Sequence, residues 1–364
     1  MRVLSLYVHV PFCERRCSYC SFYHMRASAD LEDAYVGALE EEIALALGGP
    51  GEPVRLRSVF LGGGTPSALS RPALTRVLAA ISPYTDAAVT REFTMELNPE
   101  DVDDDLVAFA RDAGVDRVSL GVQSMQPAAQ RVLRRCSPET NLRAIDTVMR
   151  RFDNVSFDVL LGVPGGGPDG LCGTMDTLAA RRPAHFSVYC LEPGGDMPAA
   201  AERFFRGVDS ERAAEEYLSM CGRLGELGYA HYEVSNFALP GRESIHNATY
   251  WDGGEYVGVG PAAHSYVGGE RSYNAPSLAD YLEHRGGARA AARIVDPMDA
   301  EARRLEEAML ALRTARGMTL ASTDGEVARE CARMGLARIE DGSVRLTDRG
   351  FLLLDAVVLR LVGA

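Results

Sequence analysis

Hydrophobic and polar positions follow two alternating periods over the first two thirds of the chain. Short runs rich in β-branched and aromatic residues predict strands: LSLYVHV (4–10), RSVFLGG (57–63), EFTMELN (92–98), RVSLGV (117–122), VSFDVLLG (155–162) and HFSVYCLE (185–192). Between them the spacing turns helical. In LEDAYVGALEEEIALAL (31–47), Leu31, Tyr35, Ala38, Leu39 and Ile43 share one face behind an Asp30 cap, and helices are expected near 71–81, 103–113, 126–150, 169–181 and 209–228. Six strand–helix units in succession predict a parallel sheet, either an incomplete barrel or a doubly wound sheet.

A Gly-rich region (253–269) and HRGGARAAARIVDP (284–297) break this rhythm and read as a linker. Beyond them, EARRLEEAMLALRTARG, EVARECARMG, the hairpin-like LARIEDGSVRLT and an apolar GFLLLDAVVLRLV predict a small helical domain with a wing. The expected division is therefore 1–205 for the α/β part, 206–297 for a connecting segment and 298–364 for the winged helical part.

The polar motifs fall where the strands end. Three cysteines follow the first strand, Gly62-Gly63-Gly64-Thr65-Pro66 the second, Glu96-Leu97-Asn98-Pro99 the third, Gly121-Val122-Gln123 the fourth and Gly162-Val163-Pro164-Gly165 the fifth. In parallel α/β architectures that rim binds ligands, so the motifs are expected to meet at one site.

Composition narrows the chemistry. All 38 basic residues are arginine, which excludes a Schiff-base lysine and a P-loop lysine. A net charge of -13 argues against general affinity for nucleic acid, and Glu301 to Ala364 carries ten Arg against ten Asp plus Glu, so the winged part is not expected to bind DNA. No run of eighteen apolar residues and no signal-peptide pattern occurs, giving the expectation of a cytoplasmic protein without a membrane span. Five of the eight cysteines are scattered singly, which fits a reducing compartment.

The other three, Cys13, Cys17 and Cys20, crowd one loop in YVHVPFCERRCSYCSFY. Such a group reads as a zinc site, a disulfide with a spare thiol, or an iron–sulfur site. Structural zinc takes four ligands, and His9 and His24 flank the loop, but no nearby fourth cysteine stands out. A cubane cluster on three thiolates leaves one iron open to a substrate or cofactor.

Cys-x3-Cys-x2-Cys resembles the signature of the radical S-adenosylmethionine superfamily. Together with FLGGGTPS, ELNPE, LGVQS, DVLLGVPG, YEVSNFALPGRESIHNATYWDGGEYVGVGPAAHSY and LTDRGFLLLDAVV in that order, it resembles the family of oxygen-independent coproporphyrinogen III dehydrogenase and its heme-chaperone branch over nearly the whole chain. The resemblance implies a partial (β/α)6 barrel with a C-terminal winged-helix-like domain, a [4Fe-4S] cluster on Cys13, Cys17 and Cys20, and S-adenosylmethionine. By motif, Tyr7, Gly63, Gly64, Thr65, Glu96, Gln123, Arg135 and Asp158 are implied to surround the latter, with Glu96 accepting from its amino group and Arg135 neutralising a carboxylate.

Within the family the dehydrogenase branch has a further cysteine two residues after the third and a long N-terminal extension. Here that position is Phe22 and the loop begins at residue 13, which points to the heme-chaperone branch. HNATYW (246–251) resembles that branch's heme motif, making His246, Asn247, Tyr250 and Trp251 heme candidates, with His264 and Cys190 as rival ligands. The implied function is heme binding and transfer to acceptor proteins, among them membrane-associated respiratory enzymes. The alternative is oxidative decarboxylation of coproporphyrinogen III.

Overall fold

The computed structural model describes residues 1–49, 52–166, 168–191, 204, 207–284 and 293–363. Six parallel strands form its centre: β1 (Arg2–Val10), β2 (Val54–Gly63), β3 (Glu92–Leu97), β4 (Arg117–Gln123), β5 (Asn154–Leu161) and β6 (His185–Cys190). The helices between them are α1 (Ala29–Leu47), α2 (Arg71–Ile81), α3 (Asp104–Asp112), α4 (Pro127–Leu133), α5 (Pro138–Met149) and α6 (Pro168–Ala179).

The side-chain alternation of the strands divides the sheet into two faces. Leu4, Leu6 and Val8 on β1, Val59 and Leu61 on β2, Phe93 and Met95 on β3, and Val155, Phe157 and Val159 on β5 are buried on the helix side. The intervening positions are polar yet also buried: Ser5, Ser58, Thr94, Arg117, Ser119, Ser156, His185 and Ser187. A buried polar face requires internal partners, and the partial barrel provides them: Ser58 Oγ donates to Ser5 Oγ at 2.8 Å, and Ser156 Oγ meets His185 Nδ1 at 2.8 Å.

Several local expectations are corrected. Helix α1 is capped by Ser28, whose hydroxyl accepts from Leu31 N–H, with Asp30 in the first turn. The single helix expected over 126–150 is two, because Arg134 takes a left-handed φ of 57° and Pro138 starts the next helix. The final apolar helix is likewise divided into Asp348–Phe351 and Leu354–Val362.

The region read as a linker belongs to the main sheet. A further helix, α7 (Ser210–Glu226), leads into β7 (Ala230–Glu233) and β8 (Asn236–Ala238), which extend the sheet antiparallel beyond β6. On the other side, β9 (Tyr256–Val259) pairs parallel with β1, followed by β10 (His264–Val267), β11 (Glu270–Tyr273) and β12 (Ile294–Asp296). Its glycines mark close approach: a Cβ on Gly258 would lie 2.1 Å from His264 O and one on Gly260 2.4 Å from His9 O. Buried Glu42 on α1 fastens this extension, accepting from Gly260 N–H at 2.9 Å, Asn274 Nδ2 at 2.7 Å and Tyr281 hydroxyl at 2.7 Å. The expected boundary at 205–206, and most of the Arg/Ala/Gly stretch of 284–297, lie outside the described residues.

Between β8 and β9 the seven-residue α8 (Ile245–Trp251) closes the barrel at the end where the strands begin. Glu92, the first residue of β3, accepts from Ser244 Oγ at 3.1 Å, Ile245 N–H at 2.8 Å and His246 N–H at 3.1 Å. The C-terminal part carries helices Ala300–Leu312 and Gly325–Arg333 and a three-stranded antiparallel sheet of β13 (Met318–Thr319), β15 (Ser343–Leu346) and β14 (Ala337–Glu340) in that order. It seats against this floor: Arg313 lies 4.9 Å over the Trp251 ring, and His231 Nδ1 meets Asp348 at 2.8 Å. No described helix is long and apolar enough to cross a membrane.

Candidate active site at the barrel mouth

The loop between β1 and α1 folds back on itself. Cys13 N–H donates to Met25 O at 3.0 Å and Met25 N–H to Pro11 O at 2.8 Å, so the two ends of the loop are tied together. Phe12, fully buried, packs edge-on against Tyr35 at 5.4 Å, and Ser18 N–H donates to Leu133 O at 3.2 Å, anchoring the tip to α4. The loop is thus held at its base and its tip, and Cys13, Cys17 and Cys20 all line one cavity of about 450 Å3.

The rim supplies the rest of the wall, including Gly63, Gly64, Thr65, Glu96, Gln123, Arg135 and Asp158. Gly64 is required by proximity, since a Cβ there would lie 2.5 Å from Phe12 O, and Gly63 has a φ of +104°. Gln123 ends β4 with φ 65°, beyond a register shift between β4 and β5. A non-glycine residue in that conformation is a local strain of the kind ligand sites retain.

Two carboxyls face the cavity. Glu96 accepts from Gly63 N–H at 3.2 Å, and burial followed by the nearby Asp158 pushes its pKa up to about 8. Asp158 accepts from Ser119 Oγ at 2.9 Å; burial raises it to about 6, with serine hydroxyls and the Arg117 charge opposing. Burial also pushes the Cys13 thiol up to about 11 and raises Cys20.

Arg135 is not the exposed side chain its neighbour Arg134 is. Its side chain is 4% exposed and donates to Asn98 Oδ1 at 2.6 Å, to Gly121 O at 2.6 Å and to Cys17 Sγ at 3.5 Å. Asn98 Nδ2 in turn donates to Thr65 Oγ1 at 2.7 Å, and Thr65 Oγ1 lies 3.5 Å from Cys13 Sγ. Arg135 thus stands in the cavity wall with donors engaged by the protein. Tyr7 lies on the inner face of β1, its hydroxyl 3.0 Å from His9 Nδ1, and does not itself line this cavity.

The heme candidates stand elsewhere. His246 is 1% exposed, with Nδ1 2.9 Å from Ser58 Oγ and Nε2 2.8 Å from the Tyr250 hydroxyl. Both ring nitrogens are therefore engaged in hydrogen bonds inside the barrel. Tyr250 packs edge-on against Tyr256 at 4.6 Å, Trp251 lies under Arg313, and Asn247 is half-buried on the same short helix. His264 is exposed and stacks on Tyr273, whereas Cys190 lines the barrel-mouth cavity.

Sequence reasoning missed Asn98, Ser119 and Arg117 as site residues. Asn98 stood in the quoted ELNPE motif, but its link to Arg135 is tertiary. Arg117 opens β4 and is 2% exposed inside the barrel, a position that periodicity marks as inward without announcing a charge.

The residues present fit a [4Fe-4S] cluster with S-adenosylmethionine. The partly buried thiols of Cys13 and Cys20, raised by desolvation, call for a cationic partner, which cluster iron would supply, with Cys17 in the same cavity as the third ligand. Glu96, a buried carboxyl with one backbone donor, calls for a cationic amine. When bound, the pair supplies one-electron reductive cleavage of a sulfonium.

Fold, three-cysteine loop and glycine rim together define a radical S-adenosylmethionine protein, and the family model described as Radical SAM superfamily matches residues 7–178. The chain is 35% identical to Heme chaperone HemW of Mycobacterium tuberculosis over 374 residues, covering 99% of this chain and 95% of that one. It is 31% identical to Heme chaperone HemW of Bacillus subtilis, covering 99% of both. The chain belongs to the HemW family of the radical SAM superfamily. In fold it matches coproporphyrinogen III oxidase (HemN) from Escherichia coli, a radical SAM enzyme, with a TM-score of 0.83 at 21% identity over 98% of this chain and 89% of that chain.

Proposed function

We propose that the chain is a heme carrier that binds heme and passes it to acceptor proteins, holding a [4Fe-4S] cluster and S-adenosylmethionine at the barrel mouth. The observation that carries this reading is the relation to HemW chaperones along essentially the full length of both chains. Phe22, exposed where the dehydrogenase branch has its extra cysteine, supports the same branch. Cys13, Cys17 and Cys20 hold the cluster, while Gly63, Gly64, Thr65, Glu96, Gln123 and Asp158 surround S-adenosylmethionine. Arg135 positions the cluster loop. The carrier works in the cytoplasm, and its acceptors include membrane-associated respiratory enzymes.

The fold shared with coproporphyrinogen III oxidase gives the second reading, radical decarboxylation of coproporphyrinogen III. Anaerobic incubation of the reconstituted protein with reductant, S-adenosylmethionine and coproporphyrinogen III separates the two. A carrier yields no protoporphyrinogen and transfers bound heme to an apo-acceptor; formation of protoporphyrinogen with 5'-deoxyadenosine overturns the carrier reading.

A further inference from the structure

The carrier reading requires an imidazole or thiolate that can reach heme iron, and the described residues contain few. Four of the seven histidines have both ring nitrogens engaged. His9 meets Tyr7 and Tyr23 O, His185 meets Ser156 and Tyr232, His231 meets Asp348 and Tyr217, and His246 meets Ser58 and Tyr250. His264 stacks on Tyr273 at the surface of β10, and His284, half-buried, has its Nδ1 2.9 Å from Asp280 O but stands apart from the arginine-lined cleft beside the cluster cavity. His24 remains. Its Nδ1 lies 2.7 Å from Phe22 O. A carbonyl only accepts, so Nδ1 carries the proton and Nε2 keeps its lone pair, with no partner among the described residues. This is the arrangement by which a backbone carbonyl prepares a histidine for metal.

His24 opens onto an unusual surface. Beside the cluster cavity lies a cleft of about 640 Å3 lined by His24, Met25, Cys13 and six arginines: Arg15, Arg16, Arg26, Arg131, Arg134 and Arg135. Glu14 is the single acid in its wall. Apart from Arg135, none of these guanidiniums forms an ion pair or a side-chain hydrogen bond among the described residues. In a chain of net charge -13, gathering five unpaired cations in one concavity costs mutual repulsion that an anion relieves. Guanidiniums pair with carboxylates through parallel hydrogen bonds. A ligand with two carboxylates beside a metal centre matches both features of the cleft.

Resting on the carrier reading, we infer that heme seats in this arginine-lined cleft, with His24 Nε2 ligating its iron and the guanidiniums of Arg131, Arg134 and their neighbours receiving its propionates. Cys13, Arg15, His24 and Arg135 line both cavities, so heme then lies against the outer side of the cluster loop. The motif helix α8, at the opposite end of the barrel, is structural.

The test is a heme titration of the full-length, cluster-loaded protein, compared at equal cluster content and followed by absorbance and electron paramagnetic resonance. His24→Ala is expected to lose the imidazole-ligated spectrum and to bind heme about ten-fold or more weakly, with added imidazole restoring the spectrum. His246→Gln is expected to keep the spectrum. Wild type is expected to prefer heme over its dimethyl ester, and Arg131→Ala/Arg134→Ala to lose that preference. Unchanged spectrum and affinity in His24→Ala, or loss of ligation in His246→Gln alone, overturn the assignment while leaving the carrier reading intact. Failure of wild type to bind heme at all overturns both.

Discussion

Arg135 and Asn98 form the keystone of the cluster loop. The guanidinium joins Cys17 Sγ to Asn98 Oδ1, and the Asn98 amide continues to Thr65, whose hydroxyl lies beside Cys13 Sγ. Two of the three cysteines are therefore referred to strands β2 and β3 through one polar chain. Gly121 O, on β4, takes the remaining strong donor.

Arg135→Lys keeps the charge and loses the fork, because one ammonium nitrogen replaces the two guanidinium nitrogens that reach Asn98 with Cys17 and Gly121 O separately. The expected result is lower iron content after reconstitution and a loss of roughly 2 kcal/mol or more in urea unfolding, from buried acceptors left unpaired. Asn98→Ala is expected to act in the same direction. Full iron retention in both variants removes the keystone role.

Gly64→Ala places a methyl group 2.5 Å from Phe12 O and 2.8 Å from Val10 O, both backbone atoms. The loop must shift to admit it, at a cost of about 1–3 kcal/mol typical of overpacking. Cluster assembly is expected to fail while the circular dichroism of the barrel persists.

Glu96 gives the cluster-free protein a defined pH dependence. Its folded pKa, about 8, lies above the ordinary 4.5, so between these values the folded chain binds more protons than the unfolded one. Stability should fall as pH rises across that window and level off above it; Asp158, at about 6, adds to the lower part. Glu96→Gln is expected to flatten the curve and, in the cluster-loaded protein, to weaken S-adenosylmethionine binding. Denaturation curves from pH 5 to pH 9 check the first effect and calorimetry the second.

Glu92→Ala deletes the acceptor of three hydrogen bonds at the start of α8. An expected loss of about 3 kcal/mol or more follows from bonds to a buried charged group. Hydrogen exchange should quicken across residues 244–251 before it changes in β1. Unaltered protection there contradicts the role given to Glu92.

Much of this was legible in the chain. The six strands, their parallel order and the motifs at their ends were readable because burial on the helix face imposes period two on one side and the rim collects polar residues. The extension β9–β12 was not, since strands of three or four residues carry too little pattern, and glycines demanded by contact at Gly258 and Gly260 look the same as glycines of a linker. The break at Arg134 hid for a related reason, because a left-handed arginine leaves no compositional trace. His246 shows the limit for chemistry. Its motif is plain in sequence, but whether an imidazole is open or saturated depends on Ser58, 188 positions away.

Helix α8, pinned beneath the strands by Glu92, closes one end of the barrel among the described residues, while the cavity between the cluster loop and the rim lies at the other. The two ends thus divide the labour, one serving as foundation and the other as workplace.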